Sequence, residues 1–469
     1  MFNTPPDDMD YTYYDDTSQN RLAHPYNATL SYQDHAWPSM IRVCLVILLR
    51  VGFALIHVGS VPINNVNLIL LHNIVDFCSV TLAYSLVGFI VAYNGDVNGL
   101  IGGGYWIGHS AVDKDEAIAG WAAVAIAAAI CTCGIVGRTH TVGYLLIGLL
   151  QAALMQPLLI HWAWTPEGWL NNNILTGRHV KFRDYAGSAV VHVVGGMSGF
   201  VGCMTLGRRL LRLDAIDDAS IAAGSAGTVF AGQLLVFIGL QSLSMAPVNP
   251  EQHRIWAKGQ HSVYLNNLLA ASSCTLLVVA FHFALTTEEF NHWTVMRCVQ
   301  ASVAGLVMIS AGTDYYSPQA AIGIATTGSV VYYLVSRHVF RSALEDYCNI
   351  VAIHLACALL GSFLAPLLDI DDKVEVVPIL LNFSWQLIGL FTITAFVGII
   401  MCAAFKSLEY MDILRNRTEY LNHLRASIAS GRGPPRSFWD QLFPGGDMPD
   451  YLQPGSTSAA GQRPFKRKE

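Results

Sequence analysis

The chain has 469 residues and a net charge of −6, and 53% of its residues are hydrophobic while only 13% are charged. Ordinary soluble domains carry about 25% charged residues, so this apolar excess excludes a protein surrounded by water and predicts one embedded in membrane lipids. The negative net charge gives no sign of a nucleic-acid-binding protein, which would have an excess of basic residues. Since the sequence has no nucleophile elbow and no phosphate-binding loop, it predicts neither an enzyme nor a cofactor site.

The N-terminal segment is acidic and rich in tyrosine and asparagine, and it has no apolar run typical of a signal peptide. We therefore expect residues 1–40 to form an extracellular tail. The first apolar segment after it should direct the chain to the membrane and stay in the protein. Asn27, followed by Ala28 and Thr29, is a predicted N-glycosylation site in this tail.

Apolar stretches long enough to cross a bilayer follow from residue 41 onward. A helix needs about 20 apolar residues to cross roughly 30 Å of hydrocarbon. Eleven apolar stretches, of which the eighth is short, lie near 41–60, 66–93, 117–137, 142–163, 185–206, 220–245, 262–286, 297–312, 317–336, 349–368 and 377–405. The sequence thus predicts an all-α integral membrane domain over residues 41–405, with eleven transmembrane helices. Residues 406–469 should form a tail that is mostly disordered after residue 430.

The orientation of the domain follows from the basic residues of its two tails. An odd number of spans places the termini on opposite faces of the membrane. Residues 406–469 contain ten Lys and Arg residues, whereas residues 1–40 contain only Arg21. Positive charge favours the cytoplasmic side, so we expect an extracellular N-terminus and a cytoplasmic C-terminus.

Two segments repeat one pattern, an Asp-Tyr pair with a histidine eight residues after the acid. One segment runs from Asp184 to His192 and the other from Asp346 to His354. They open the fifth and the tenth predicted helices, and two copies separated by five spans have opposite orientations. This pattern indicates an inverted 5+5 repeat plus one C-terminal helix, an architecture in which transport sites lie between the repeats.

The acids and the histidines of this repeat favour different interpretations. Asp is a preferred helix N-cap, so we interpret both aspartates chiefly as caps. A histidine about 12 Å inside an apolar helix is costly unless it has a partner, and such residues commonly mark a transport path. His192 and His354 are therefore predicted to meet and to line a pore.

Several segments resemble the ammonium transporter family (Amt/Mep/Rh), and the Amt branch in particular. Residues 184–196 are similar to the family's signature, whereas 51–60 and 65–76 are similar to its first two helices. Residues 92–102 resemble the stretch that follows those helices. The likeness extends over residues 41–425.

The resemblance implies a homotrimer in the plasma membrane, with one narrow apolar pore in each protomer. The solute would be ammonium or ammonia, and methylammonium could follow the same path. The family's pore histidines match His192 and His354. Its vestibule tryptophan, which binds the cation, matches Trp164, and its fifth-helix aspartate matches Asp184. For Trp164 an alternative remains open, because tryptophans also form belts at membrane interfaces.

The chain departs from the family at the expected gate and vestibule. Ala119 and Ala123 replace aromatic gate residues in the third helix. Leu240 and Leu243 stand where the sixth helix should carry Trp and Phe, and Pro247 stands where a serine should bind the cation. Two functions therefore remain. One is an ammonium conductor whose outer pore is either wider or filled by other groups such as Trp121 or Leu243. The other is a transport-inactive trimer that acts as a sensor or assembly partner.

Two further features concern buried polar residues. Asp76 and His72 in the second helix are predicted to bond to neighbouring helices, whereas Arg50 in the first helix has no partner that the pattern identifies. The ten cysteines lie within or beside apolar stretches, and we interpret them as small core residues. Because Cys131 and Cys133 have no His or Asp near them in the sequence, no metal site is predicted.

Overall fold

The protein is described by a computed structural model that covers residues 25–60, 66–93, 95–207, 225–245, 253–286, 292–342, 344–368 and 376–416. Within these residues the chain forms an all-α bundle of the membrane type. Its helices are α1 (Pro25–Ser60), α2 (Val66–Ala92), α3 (Lys114–Cys133), α4 (Thr141–Trp164), α5 (Ser188–Leu206), α6 (Ser225–Ser244), α7 (His253–Leu285), α8 (His292–Ile309), α9 (Pro318–Arg341), α10 (Val351–Leu368) and α11 (Val376–Tyr410).

The helices of the described residues correspond one to one with the eleven predicted spans. Nine of them are long and apolar enough to cross a membrane. The apolar part of α8, Thr294–Ile309, is shorter, and α9 is long but less apolar. The all-α membrane fold predicted from the sequence is confirmed. Helix α1 begins at Pro25, before the expected start at residue 41, while the side chain of Asn27 and residues 417–469 lie outside the described part.

A short β-hairpin between α4 and α5 holds the chain that leads into α5. Strands β1 (Asn173–Leu175) and β2 (Arg178–Val180) pair antiparallel, with Asn173 opposite Val180. Arg183, three residues later, donates from its backbone N–H to Gln386 Oε1 at 2.9 Å, and Gln386 Nε2 donates back to the Arg183 carbonyl at 2.9 Å. These two bonds to α11 fix the backbone just before Asp184.

The polar residues of α1 and α2 are paired with each other and with neighbouring helices. Arg50 forms an ion pair with Asp76 at 2.6 Å, with the two side chains 7% and 2% exposed. It also donates to the Ala125 carbonyl on α3 at 3.1 Å. His72 lies 2.9 Å from the Thr141 hydroxyl on α4. The predicted interhelical bonds are present, and Asp76 is the partner of Arg50 that the sequence pattern did not identify.

A glycine allows α5 and α10 to meet backbone to backbone. A Cβ atom at Gly196 would lie 2.7 Å from the His354 carbonyl carbon and 2.8 Å from its oxygen. Any larger side chain would therefore push the two helices apart. This close approach brings the histidine of α5 within reach of the histidine of α10.

Candidate functional site

The two repeated histidines are in direct contact inside the bundle. Nδ1 of His354 lies 3.1 Å from Nδ1 of His192. The rings are stacked, with centroids 5.1 Å apart and an interplanar angle of 23°. Both side chains are buried, at 0% and 3% exposure. The predicted contact between the histidines is confirmed.

The two copies of the repeat also share their local backbone. Each histidine lies in a π-helical turn, Ser188–Val193 in α5 and Val351–Cys357 in α10. A residue with left-handed backbone follows each aspartate by three positions: Gly187 at φ 78° and Asn349 at φ 55°. π-Helical turns inside α-helices occur frequently at functional sites. The sequence pattern of the repeat therefore corresponds to a repeated structural motif.

Both aspartates of the repeat cap the helices that follow them. Asp184 accepts two backbone N–H groups of α5 at 2.8 and 2.9 Å. Asp346 accepts two backbone N–H groups at the start of α10, at 3.0 and 2.8 Å. Burial raises the pKa of each carboxyl to about 6, although these hydrogen bonds favour the charged form. The geometry is that of the favoured capping interpretation.

The hydrogen bond between the histidines makes the two rings chemically different. In a hydrogen bond between two Nδ1 atoms one ring donates and the other accepts. The donor ring then has a bare Nε2 that can accept a proton, and the acceptor ring carries its proton on Nε2. Nε2 of His192 is buried and has no hydrogen-bond partner among the described residues. The pair therefore offers a free ring nitrogen to a small polar solute.

A cavity of about 480 Å³ lies at the end of the bundle where α5 begins, and we call it the Trp164 cavity. Four of the predicted site residues line it: Ala119, Trp164, Asp184 and Leu243. His192 is the fifth residue of α5, in the π-helical turn that begins beyond Asp184, and it is buried inside the bundle. The structure thus gathers residues from four separate segments at one opening.

The remaining gate and vestibule positions do not line the Trp164 cavity. Ala123 and Leu240 are fully buried, and Pro247 lies outside the described residues. The Trp121 indole donates to the Thr81 hydroxyl at 3.0 Å and packs edge-on against Phe77. Trp121 therefore fills the contact between α2 and α3, while Leu243 lines the Trp164 cavity.

Trp164 is held in place on the wall of the Trp164 cavity. Its indole nitrogen donates to the Asp184 carbonyl at 3.0 Å. Trp162, two residues before it, instead donates to the Leu100 carbonyl at 2.7 Å and packs against Phe396. The two tryptophans thus have different surroundings, and Trp164 is the one that lines the cavity.

The cavity wall contains a cation that sequence reasoning missed. Arg42, on α1, reaches the carbonyl oxygens of Ser242 and Met245 at 3.4 and 3.3 Å, at the C-terminal end of α6. A cation at this end complements the helix dipole. The only signal in the sequence is an arginine at the start of an apolar run. Along the wall, acids outnumber bases five to three: Asp113, Glu116, Glu167, Asp184 and Asp314 against Arg42, Lys181 and Arg183.

An all-α membrane bundle with a buried histidine pair below an open cavity defines a transporter-like integral membrane protein. The model of the Ammonium Transporter Family matches residues 38–423. The chain therefore belongs to the ammonium transporter family, whose members are membrane transporters rather than enzymes.

Known proteins extend this similarity along most of the chain. "Ammonium transporter 1 member 3" of Solanum lycopersicum is 28% identical over 404 residues, which cover 79% of this chain and 86% of that protein. The solved structure of a "Sensor Amt Protein" superposes with a TM-score of 0.71 at 20% identity, covering 87% of this chain and 98% of its own. Mep2 of Saccharomyces cerevisiae gives 0.64 at 18% identity, with 82% and 87% covered. The two solved structures share the fold.

Proposed function

We propose that this protein conducts ammonium or ammonia across the membrane through a pore that passes His192 and His354. The observation that carries the proposal is the buried contact between the two rings, with Nε2 of His192 lacking a partner among the described residues. An ammonium ion that leaves water for an apolar pore loses many kcal/mol of hydration unless it gives up its proton or finds an acceptor. A neutral imidazole can take that proton or hydrogen-bond the dehydrated solute.

The Trp164 cavity would collect the cation before it enters the pore. Its acidic excess attracts a monovalent cation, and the face of the Trp164 ring can stabilise it by roughly 0.5–2 kcal/mol. The solute would then pass Ala119 and Leu243 and reach His192. Because the carboxylate of Asp184 already caps α5, we assign this residue the role of holding Trp164 through its carbonyl.

The orientation and assembly of the protein in the membrane belong to the same proposal. We propose that the Trp164 cavity opens to the outside, with the N-terminus outside and the C-terminus in the cytoplasm of a plasma-membrane protein. Three chains would form a homotrimer embedded in lipid, with a pore in each chain. Glycosylation at Asn27 would fit this orientation, because the sequon precedes the first membrane span.

A second candidate function is that of a sensor or assembly partner that does not conduct. The replaced residues favour it, because Leu240 and Leu243 cannot bind a cation as Trp and Phe rings do. The solved structure of a "Sensor Amt Protein" shares the fold of this chain. In this alternative ammonium would bind in the Trp164 cavity without crossing the bundle.

Transport in cells that lack other ammonium transporters tests the first proposal against the second. We expect uptake of labelled methylammonium, or a current with ammonium, that the parent cells do not show. Since alanines replace the gate rings at positions 119 and 123, methylammonium should compete more effectively with ammonium than in an Amt protein with an aromatic gate. A chain that reaches the cell surface and passes neither solute would support the sensor function.

The cation site at Trp164 can be tested separately. Trp164→Leu should raise the apparent KM for ammonium by about 2- to 30-fold, which corresponds to the loss of roughly 0.5–2 kcal/mol of cation–π energy. The maximal rate should change little, because the ring acts only in binding. Concentration series of ammonium-dependent current give both constants.

Two variants serve as controls for this measurement. Trp162→Leu removes the neighbouring indole, whose nitrogen bonds to Leu100 instead, and should leave the KM near that of the unmodified chain. Trp164→Phe keeps a ring face and should retain much of the affinity. Equal effects of Trp162→Leu and Trp164→Leu would mean that both rings only anchor the protein in the bilayer.

A further inference from the structure

Three metal-ligand side chains from different parts of the sequence meet inside the bundle. They are His57 on α1, Cys133 at the end of α3 and Cys348 just before α10, and their donor atoms all lie within 4.8 Å of one another. Nε2 of His57 is 3.1 Å from Sγ of Cys133. Each of the three residues is 5% exposed or less. We call these residues the His57 cluster.

We propose that the His57 cluster binds a thiophilic divalent cation of the Zn²⁺ class through Nε2 and the two Sγ atoms. Zn²⁺ takes ligands at about 2.0–2.1 Å for nitrogen and about 2.3 Å for sulfur. In tetrahedral geometry those lengths place the donors about 3.5–3.8 Å apart. Since the three donors lie within 4.8 Å of one another, side-chain movements of about 1 Å would bring them to the separation that Zn²⁺ requires.

Charge balance favours a divalent ion over Cu⁺. Two thiolates and a neutral imidazole cancel the charge of Zn²⁺, whereas Cu⁺ would leave one negative charge in a buried site. Binding would break two S–H bonds, form two Zn–S bonds and one Zn–N bond, and release two protons to solvent. Three protein ligands leave a fourth position for water, as in open zinc sites.

A neighbouring amide can support the histidine as a ligand. Asn73 Nδ2 lies 3.1 Å from Nδ1 of His57 and donates to the Ile69 carbonyl at 2.9 Å. With a metal on Nε2, the ring carries its proton on Nδ1, and a half-turn of the Asn73 amide, which gives up the hydrogen bond to the Ile69 carbonyl, presents its oxygen to that proton. Such outer partners orient the ligating histidine in metal sites.

The cluster is separate from the histidine pair but close to it. The Phe53 ring stands between them, with its centroid 6.3 Å from that of His57 and 6.4 Å from that of His354. A bound ion would therefore lie one aromatic ring away from the pair. Without metal, the same residues would be three packed side chains joined by a His–Cys hydrogen bond.

Titration of the purified, reduced chain with Co²⁺ separates these two possibilities. Co²⁺ takes zinc sites and reports its ligands through thiolate-to-cobalt charge-transfer absorption. We expect this band to saturate at one ion per chain and to disappear when Zn²⁺ displaces the cobalt. Cys133→Ser and Cys348→Ser should each weaken binding at least about tenfold. Cys131→Ser changes a buried thiol of the same helix outside the cluster, and should leave the titration unchanged.

A folded chain without the charge-transfer band, or a band that persists in both cluster variants, would overturn the proposal. If the serine variants do not fold, X-ray absorption at the zinc edge of the unmodified chain replaces them. Two sulfur ligands and one imidazole would support the site, and a shell of oxygen and nitrogen alone would contradict it. Neither measurement uses ammonium transport, so failure of the metal-site proposal can be distinguished from failure of the proposed function.

Discussion

Replacing His192 by alanine should lower ammonium-dependent current by about 10- to 150-fold. That range corresponds to losing one hydrogen bond to a charged group, about 1.5–3 kcal/mol. Nε2 of His192 is the buried ring nitrogen without a partner among the described residues, and alanine removes the acceptor that a dehydrated ammonium ion needs. His354→Ala should have a similar effect, because it removes the ring that fixes the tautomer of His192.

The double variant and a matched control make the test specific. Residues that act as one unit are not additive, so the double alanine variant should be little worse than either single variant. His72→Gln changes another buried histidine, which bonds to Thr141 outside the pair, and should retain the current. Native mass spectrometry of each variant should give the same oligomeric state as the unmodified chain. If both alanine variants conduct as the unmodified chain does, the path lies elsewhere in the bundle.

The features that could be predicted from the sequence are those repeated along the chain or carried by one helix. The apolar stretches gave the helices, and the spacing from Asp184 to His192 recurs from Asp346 to His354. An aspartate before a helix has a local role, so its capping follows from the sequence alone. The contact between the histidines followed from the repeat. Their π-helical turns depend on packing and left no signal in the residue pattern.

The features that escaped prediction depend on three-dimensional neighbours. Cys133 has no histidine near it in the sequence, yet packing of α1 against α3 brings His57 to 3.1 Å from it. The side chain of Trp121 packs where it does because of the face of α3 that meets α2. Since α3 is apolar on all sides, its sequence did not specify that face. Arg42 reaches carbonyl groups about 200 residues away in the sequence. Such contacts have no local periodicity from which to infer them.

The ion pair of Arg50 and Asp76 predicts the largest effect on stability. Asp76→Ala leaves the Arg50 guanidinium, 7% exposed, without its carboxylate partner, and removing one member of a buried pair costs about 3–5 kcal/mol. We expect a reduction of that size in the free energy of unfolding, measured by denaturant titration in detergent. Glu409→Ala, which removes a 37% exposed carboxylate that pairs with Lys406 and Arg415, should cost less than about 1 kcal/mol.

The double variant Arg50→Leu with Asp76→Ala separates the pair from the packing around it. If the loss in Asp76→Ala arises from an uncompensated buried charge, removing the charge as well should recover most of the stability, because apolar replacement of a whole buried pair is often neutral. Arg50 also donates to the carbonyls of Ala125 and Asn73, at 3.1 and 3.2 Å. If Asp76→Ala unfolds no more easily than Glu409→Ala, these two carbonyls are sufficient to hold the charge, and the carboxylate contributes little to the bundle.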